Sequence, residues 1–302
     1  MTDYSTIQLS RDVENSSVAI LTLNRAEFMN SFNLKMLREL QSAYADLEQD
    51  NSVRVIVVTG AGRAFCAGAD ISGGFGAPDR KLDVNFHEGV MRDGGGELVL
   101  DMFKLDTPII GAINGHAVGI GATMTMAMDI RICSNAMKWA FPFARRGIVC
   151  DGAASWYLPR LVGWAKANEW ILKAGIISPD EMFRAGYVSE LLEAEAVLPR
   201  ALDLARDIAI NCSPNSTALN KRLLRDSMFA YGRLDGTAFD AHIAESKMLN
   251  AAYVGPDCQE GVKAFLEKRS PDFPDRPENP DRPENPDRPE NSDRPENPAR
   301  ND

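Results

Sequence analysis

The chain has little from which to build a disulfide framework or a metal centre. Its five cysteines, Cys66, Cys133, Cys150, Cys212 and Cys258, are odd in number and form no Cys-x-x-Cys pair, and its three histidines stand far apart. No structural metal is expected, and a reducing compartment, the cytoplasm, is the default. The first 25 residues lack a basic stretch followed by an apolar one, so no secretory leader is expected. A long run without charge, Pro108 to Met128, has the length of a membrane span, but Asn114, His116, four glycines and two threonines interrupt it. It reads instead as a buried strand, a turn and a helix, and no membrane partner is expected. A surplus of basic residues is also missing. The 33 lysines and arginines face 43 acids, for a net charge of −10, which argues against a nucleic-acid-binding surface.

Large apolar side chains are almost absent from the end of the chain. Residues 270–302 hold ten acids, five arginines and nine of the seventeen prolines, with Phe273 as their one large apolar group. Asp-Arg-Pro-Glu-Asn begins at Asp275, Asp281, Asp287 and Asp293, a period of six. Such a composition buries no core, so residues 271–302 are expected to form a disordered repeat tail of polyproline II character. A chain cut after Arg269 is then expected to turn over normally.

What precedes the tail is apolar enough for a sizeable core. Val18–Leu23 reads as a strand, and Asn33 to Glu48 as an amphipathic helix with Leu34, Leu37, Leu40, Tyr44 and Leu47 on one face. Val53–Thr59 is a near-continuous β-branched run, the mark of a strand covered on both faces, and Ile109–Asn114 reads as another buried strand. Ile130–Cys133 and Lys138–Phe141 are further strands, and residues 77–96 a polar, glycine-studded loop. The alternation implies an α/β fold with crossover connections. Beyond Asp151 the pattern is mostly helical. Ser178-Pro179-Asp180-Glu181 starts one helix, and others are expected near 195–211, 217–230, 236–250 and 257–268. The expected division is a core over 1–195, a helical region over 196–270 and the tail.

Two glycine clusters could carry chemistry. Gly60-Ala61-Gly62-Arg63-Ala64-Phe65 follows a strand but places Phe65 where a dinucleotide fingerprint needs its third glycine. Gly115-His116-Ala117-Val118-Gly119-Ile120-Gly121 opens a helix whose first amides are free to face a developing oxyanion. Spacing alone leaves open whether these glycines serve catalysis or only close packing.

Ala64-Phe65-Cys66-Ala67-Gly68-Ala69-Asp70-Ile71, Pro108 to Gly119 and Asp129-Ile130-Arg131 resemble the crotonase (enoyl-CoA hydratase/isomerase) superfamily in order and spacing. Leu23-Asn24-Arg25 and Glu260 to Arg269 are similar too. The resemblance covers about residues 5–273. It implies a spiral β/α core, a C-terminal helical region used in trimerisation and thus a homotrimer or hexamer. It also implies acyl-CoA substrates, with no cofactor beyond the substrate's CoA moiety. The Ala69 and Ile120 amides would hold the thioester oxygen as an enolate forms. CoA would lie along Ala67, Gly68, Asp70 and Ile71, with Arg25 a candidate for its phosphates. The family commonly has glycine where Ile120 stands, which a backbone donor tolerates.

The acids depart from the hydratase pattern. Where typical hydratases carry two glutamates this sequence has Thr123 and Phe143. One carboxylate follows, in Ile148-Val149-Cys150-Asp151-Gly152-Ala153, a stretch similar to Δ3,Δ2-enoyl-CoA isomerases, which use a single acid there. Small apolar neighbours would desolvate Asp151 and strengthen it as a base. A plain helix-capping role for Asp151 stays open. The expected activity is enoyl-CoA double-bond isomerisation; hydration with a non-standard acid, or a catalytically silent CoA-binding scaffold, are the alternatives.

Overall fold

The computed structural model describes residues 4–71, 86–87, 90–228 and 255–276, with isolated helical positions between 242 and 252. Of the expected polar loop, residues 77–85 lie outside the described residues. So do most of the expected helix at 236–250 and the repeats beyond Arg276.

β1 (Ile7–Arg11) and β2 (Val18–Leu23) form a hairpin, and α1 (Leu34–Gln49) leads to β3 (Val55–Gly60) and β4 (Ala64–Cys66). Asn33 caps α1 by accepting a hydrogen bond from the Met36 amide. β5 (Phe86–His87) and β6 (Val90–Met91) pair ahead of α2 (Gly94–Lys104), β7 (Ile109–Ile113) and β8 (His116–Val118). A short α3 (Ile120–Thr123) runs into a 3-10 turn, Met124–Ala127, and then come β9 (Ile130–Ser134) and β10 (Trp139–Ala140). α4 (Ala154–Val162), α5 (Trp164–Lys173), β11 (Ile176–Ile177), α6 (Pro179–Arg184) and β12 (Glu190–Leu192) follow. α7 (Ala194–Asn211), α8 (Pro214–Ser227) and α9 (Pro256–Glu267) complete the described elements.

The strands sort into two main sheets. One has six strands in the order β1-β2-β3-β7-β9-β12, the other four in the order β11-β10-β8-β4. Successive stretches of chain lay one strand in each sheet, β3 then β4, β7 then β8, β9 then β10, so the path is a spiral. From β2 to β12 the large sheet is parallel. Every residue of β3 and β7 is buried, as their apolar runs require. Alternate side chains face opposite layers. Ile56, Val58, Ile109 and Ile113 join the main core with α1 and α2, while Val55, Val57, Ile110 and Ala112 meet Val197, Ala201, Ala205 and Ala209 of α7. Each fully buried valine or isoleucine contributes roughly 1.5–3 kcal/mol.

Two boundaries differ from the sequence reading. The packed core does not stop at 195, because α7 lies across the large sheet through its small-residue face. The packed chain also does not stop at 270. Phe273 is buried against Gly261 of α9, and the Phe273 carbonyl accepts a 2.7 Å hydrogen bond from Arg54. Arg276, at 7% side-chain exposure, pairs at 3.2 Å with Glu48, itself at 1%. Arg276 also donates to the Glu48 carbonyl and to Thr107 Oγ1. The first Asp-Arg-Pro unit is thus part of the folded body up to its arginine. Two further differences matter for the site. The glycine cluster contains strand β8, and α2 begins already at Gly94, with Asp93 as its cap.

Candidate active site

β4 and β8 lie side by side and parallel, with Ala64 opposite His116 and Cys66 opposite Ala117. The chain therefore leaves both strands at the same end, through Ala67-Gly68-Ala69 and through Gly119-Ile120. The Gly68 carbonyl accepts from the Phe32 amide and the Asp70 amide donates to the Phe32 carbonyl, each at 2.8 Å. This bridge fixes Ala69 on both sides without using its own N–H. Ile120 is the first residue of α3, where an amide has no intrahelical acceptor. Among the described residues nothing accepts a hydrogen bond from either amide. The two turns touch through backbone: a Cβ on Gly121 would lie 2.1 Å from the Cys66 carbonyl oxygen. Any larger residue there would push α3 off β4.

Asp151 sits between the 3-10 turn after β10 and α4. Its Oδ1 accepts a 2.8 Å hydrogen bond from Thr123 Oγ1, and Thr123 is wholly buried in α3. The side chain of Asp151 does not cap α4. That helix has Ala153 at its N-cap with no side-chain bond, and it is the Asp151 backbone carbonyl that accepts from the Ala154 amide. Burial pushes the Asp151 carboxyl up to about 6, against the pull of the Thr123 hydroxyl, and the negative charge of Asp93 pushes the same way. The structure therefore brings together two unspent amides on adjacent turns and a carboxylate held from the same short helix.

A family model described as enoyl-CoA hydratase/isomerase matches residues 13–276. The chain belongs to the enoyl-CoA hydratase/isomerase family. An enoyl-CoA hydratase of Alternaria alternata is 40% identical over 259 residues, covering 85% of this chain and 83% of that one. The 1,2-epoxyphenylacetyl-CoA isomerase of Escherichia coli is 33% identical over 264 residues, covering 85% and 94%. The crystal structure of a probable enoyl-CoA hydratase/isomerase from Mycobacterium abscessus superposes with a TM-score of 0.78 at 36% identity, covering 89% of this chain and all of that one. The fold is thus the spiral α/β fold of this enzyme family, whose substrates are acyl-CoA thioesters.

Within the enoyl-CoA hydratase/isomerase framework, the remaining expected site residues divide. Arg25 and Asp70 come together at 3.1 Å, and Arg25 also donates to the Ser31 carbonyl and lies over the Phe28 ring. The Arg25 charge is therefore already partnered at the mouth of the Gly68 turn. The Ala67 amide is spent on the Met29 carbonyl at 3.0 Å, whereas Ile71 is half exposed. Thr123 and Phe143, where the resemblance would put the two hydratase glutamates, are both buried. Burial pushes the Cys66 thiol up to about 12 and raises Cys150 as well, which leaves neither as a nucleophile. His116 accepts from the Lys138 amide, and Met124, Met126 and Met128 are core. Among the described residues no cluster of His, Cys, Asp or Glu could hold a metal, and no helix is long and apolar enough to cross a membrane.

In the sequence, Thr123 stands out only for the glutamate it replaces. Its hydrogen bond to Asp151 was not visible, because the two are 28 residues apart and meet only when β8 and β10 pair.

Proposed function

We propose that this enzyme shifts the double bond of an enoyl-CoA thioester from Δ3 to Δ2. The observation that carries the reading is the half-buried Asp151 carboxylate, held by Thr123 of the same short helix whose first amide, like that of Ala69, is free. Asp151 takes a proton from C2 of a 3-enoyl thioester; the C–H bond breaks, an O–H bond forms, and the electron pair moves onto the thioester oxygen. The Ala69 and Ile120 amides hold that enolate oxygen. The protonated Asp151 returns the proton to C4, leaving the double bond at C2–C3 with no change in mass. One base serves both carbons, so the missing glutamates are no obstacle. A methylene shorter than glutamate, Asp151 is steadied by Thr123.

The working form of the base is the anion. With its pKa raised to about 6, kcat/KM is expected to rise through about pH 6 and level off above it. The test is a panel of 3-enoyl-CoA and 2-enoyl-CoA substrates followed by product mass across pH 5–8. An isomer of unchanged mass with that profile supports the proposal. Gain of the mass of water favours hydration, the second reading, which the hydratase names of the Alternaria relatives favour.

We also infer self-association. Val262, Phe265 and Leu266 leave an exposed apolar face on α9, the kind of patch that marks a protein–protein contact. Sedimentation of the full chain at micromolar concentration is expected to show an oligomer; a stable monomer overturns this.

A further inference from the structure

Asp93 was not among the expected site residues, yet it joins the start of α2 to the turn that carries Asp151. It directly precedes α2, and its Oδ1 accepts a hydrogen bond from the Gly96 amide at 2.5 Å, capping the helix. The same Oδ1 receives the Gly152 amide at 3.4 Å, across 59 residues of sequence. Gly152 is the residue after Asp151. Its φ is +61°, and a Cβ there would lie 2.6 Å from Thr123 Oγ1, the hydroxyl that holds Asp151. The first turn of α2 also presses on the oxyanion side. A Cβ on Gly95 would fall 2.5 Å from Ile120 Cδ1 and 3.2 Å from Asp93 Oδ1. The start of α2 is therefore a platform against which Ile120 and the Asp151–Gly152 turn both rest.

We propose that Asp93 is a positioning residue for the reaction: it ties the turn carrying Asp151 to the start of α2 and sets the electrostatic environment of that base. The inference rests on Asp151 being the base. Among the described residues, few groups face Asp151. Thr123 donates to it from α3, Cys66 approaches from β4 and Cys150 precedes it on its own turn, both thiols being neutral. Asp93 is the charged group that faces it, with the same sign, from the start of α2. A carboxylate at 93 thus makes two separable contributions. Its oxygen anchors the Gly152 amide, and its charge disfavours the Asp151 anion, making Asp151 a stronger base.

Two variants separate these contributions, and both retain a good helix cap, so α2 is expected to form in each. Asp93→Asn keeps an acceptor of the same reach and removes the charge. Its plateau kcat is expected within about twofold of wild type, while the acid limb of the rate profile moves to lower pH. Asp93→Ser caps Gly96 but is too short to reach Gly152. Its plateau kcat is expected to fall roughly tenfold with KM within about twofold, because a misplaced base costs rate and not binding. Thermal melts accompany both. Wild-type kcat and pH profile in both variants overturn the proposal, as does a loss in Asp93→Ser that tracks its melting temperature. Asp151→Asn is measured in parallel. If it is inactive while the Asp93 variants behave as wild type, only the role of Asp93 fails. If Asp151→Asn stays active, the base itself has been misassigned.

Discussion

Asp151→Asn should lower turnover by roughly 10²–10⁴-fold, the usual worth of a general base, while acyl-CoA affinity changes by no more than about twofold. The substitution keeps the shape and the acceptor that Thr123 Oγ1 needs, so little else moves. The same variant should be more stable than wild type at neutral pH. A carboxyl raised from 3.8 to about 6 is one whose folded state resists ionisation. Below the unfolded pKa both states are protonated and no penalty exists. As pH climbs from 3.8 to about 6 the unfolded chain ionises first and stability is lost, with the full penalty standing above about 6. The full shift corresponds to roughly 3 kcal/mol. Asparagine recovers part of it, since its own amide is only half satisfied, so a gain of about 1–2 kcal/mol at pH 8, fading to nothing near pH 4, is expected from paired denaturant titrations. A rate loss with no change in stability at pH 8 would mean that Asp151 is better solvated than its surroundings indicate. A full rate would remove it from the chemistry.

Arg276→Ala is expected to cost about 3 kcal/mol, or roughly 6–10 °C of melting temperature in a chain of this size. Removing the guanidinium leaves Glu48 buried without its counter-charge. The cost sits at the low end of the range for broken buried pairs, because the Asp106 and Thr107 amides and the Thr107 hydroxyl still donate to that carboxylate. The position of a truncation then decides its effect. A chain ending after Arg276 should melt with the full-length protein. One ending after Arg269 also loses Phe273 and its bond to Arg54, and should melt lower even if its turnover at low temperature is normal. Equal melting of the two truncations would show that the first repeat contributes nothing to the fold.

Much of the framework was legible in the residues because its causes are local. The β-branched runs of β3 and β7 announced strands covered on both faces, and Asn33 and Ser178 stood where helices begin and do cap them. Asp151 could be singled out because its stretch resembles that of the Δ3,Δ2-enoyl-CoA isomerases, with Val149, Cys150 and Ala153 giving the acid an apolar setting. What escaped depends on contacts distant in sequence. β4 and β8 are three residues each, too short for any periodicity, and exist because they pair with one another. β12, equally short, completes the large sheet by joining β9. Asp93 falls in what reads as a polar loop, and only the fold makes it a helix cap and brings Gly152 beside it. Arg276 is indistinguishable from the three arginines that repeat it, and only burial against Glu48 singles it out.

That last ambiguity bears on how the end of the chain can change over generations. Tandem six-residue units gain and lose copies readily by slippage during replication. Here Pro274-Asp275-Arg276-Pro277 recurs unchanged at 280–283 and 286–289. If the unit 275–280 is deleted, the next Asp-Arg-Pro is drawn up behind Phe273 and Pro274, and the arginine that follows is again in place to meet Glu48. Added copies fall beyond the anchored arginine and disturb no described contact. The strap therefore tolerates both contraction and expansion of the array so long as one copy survives, and copy number can drift without placing the folded body at risk.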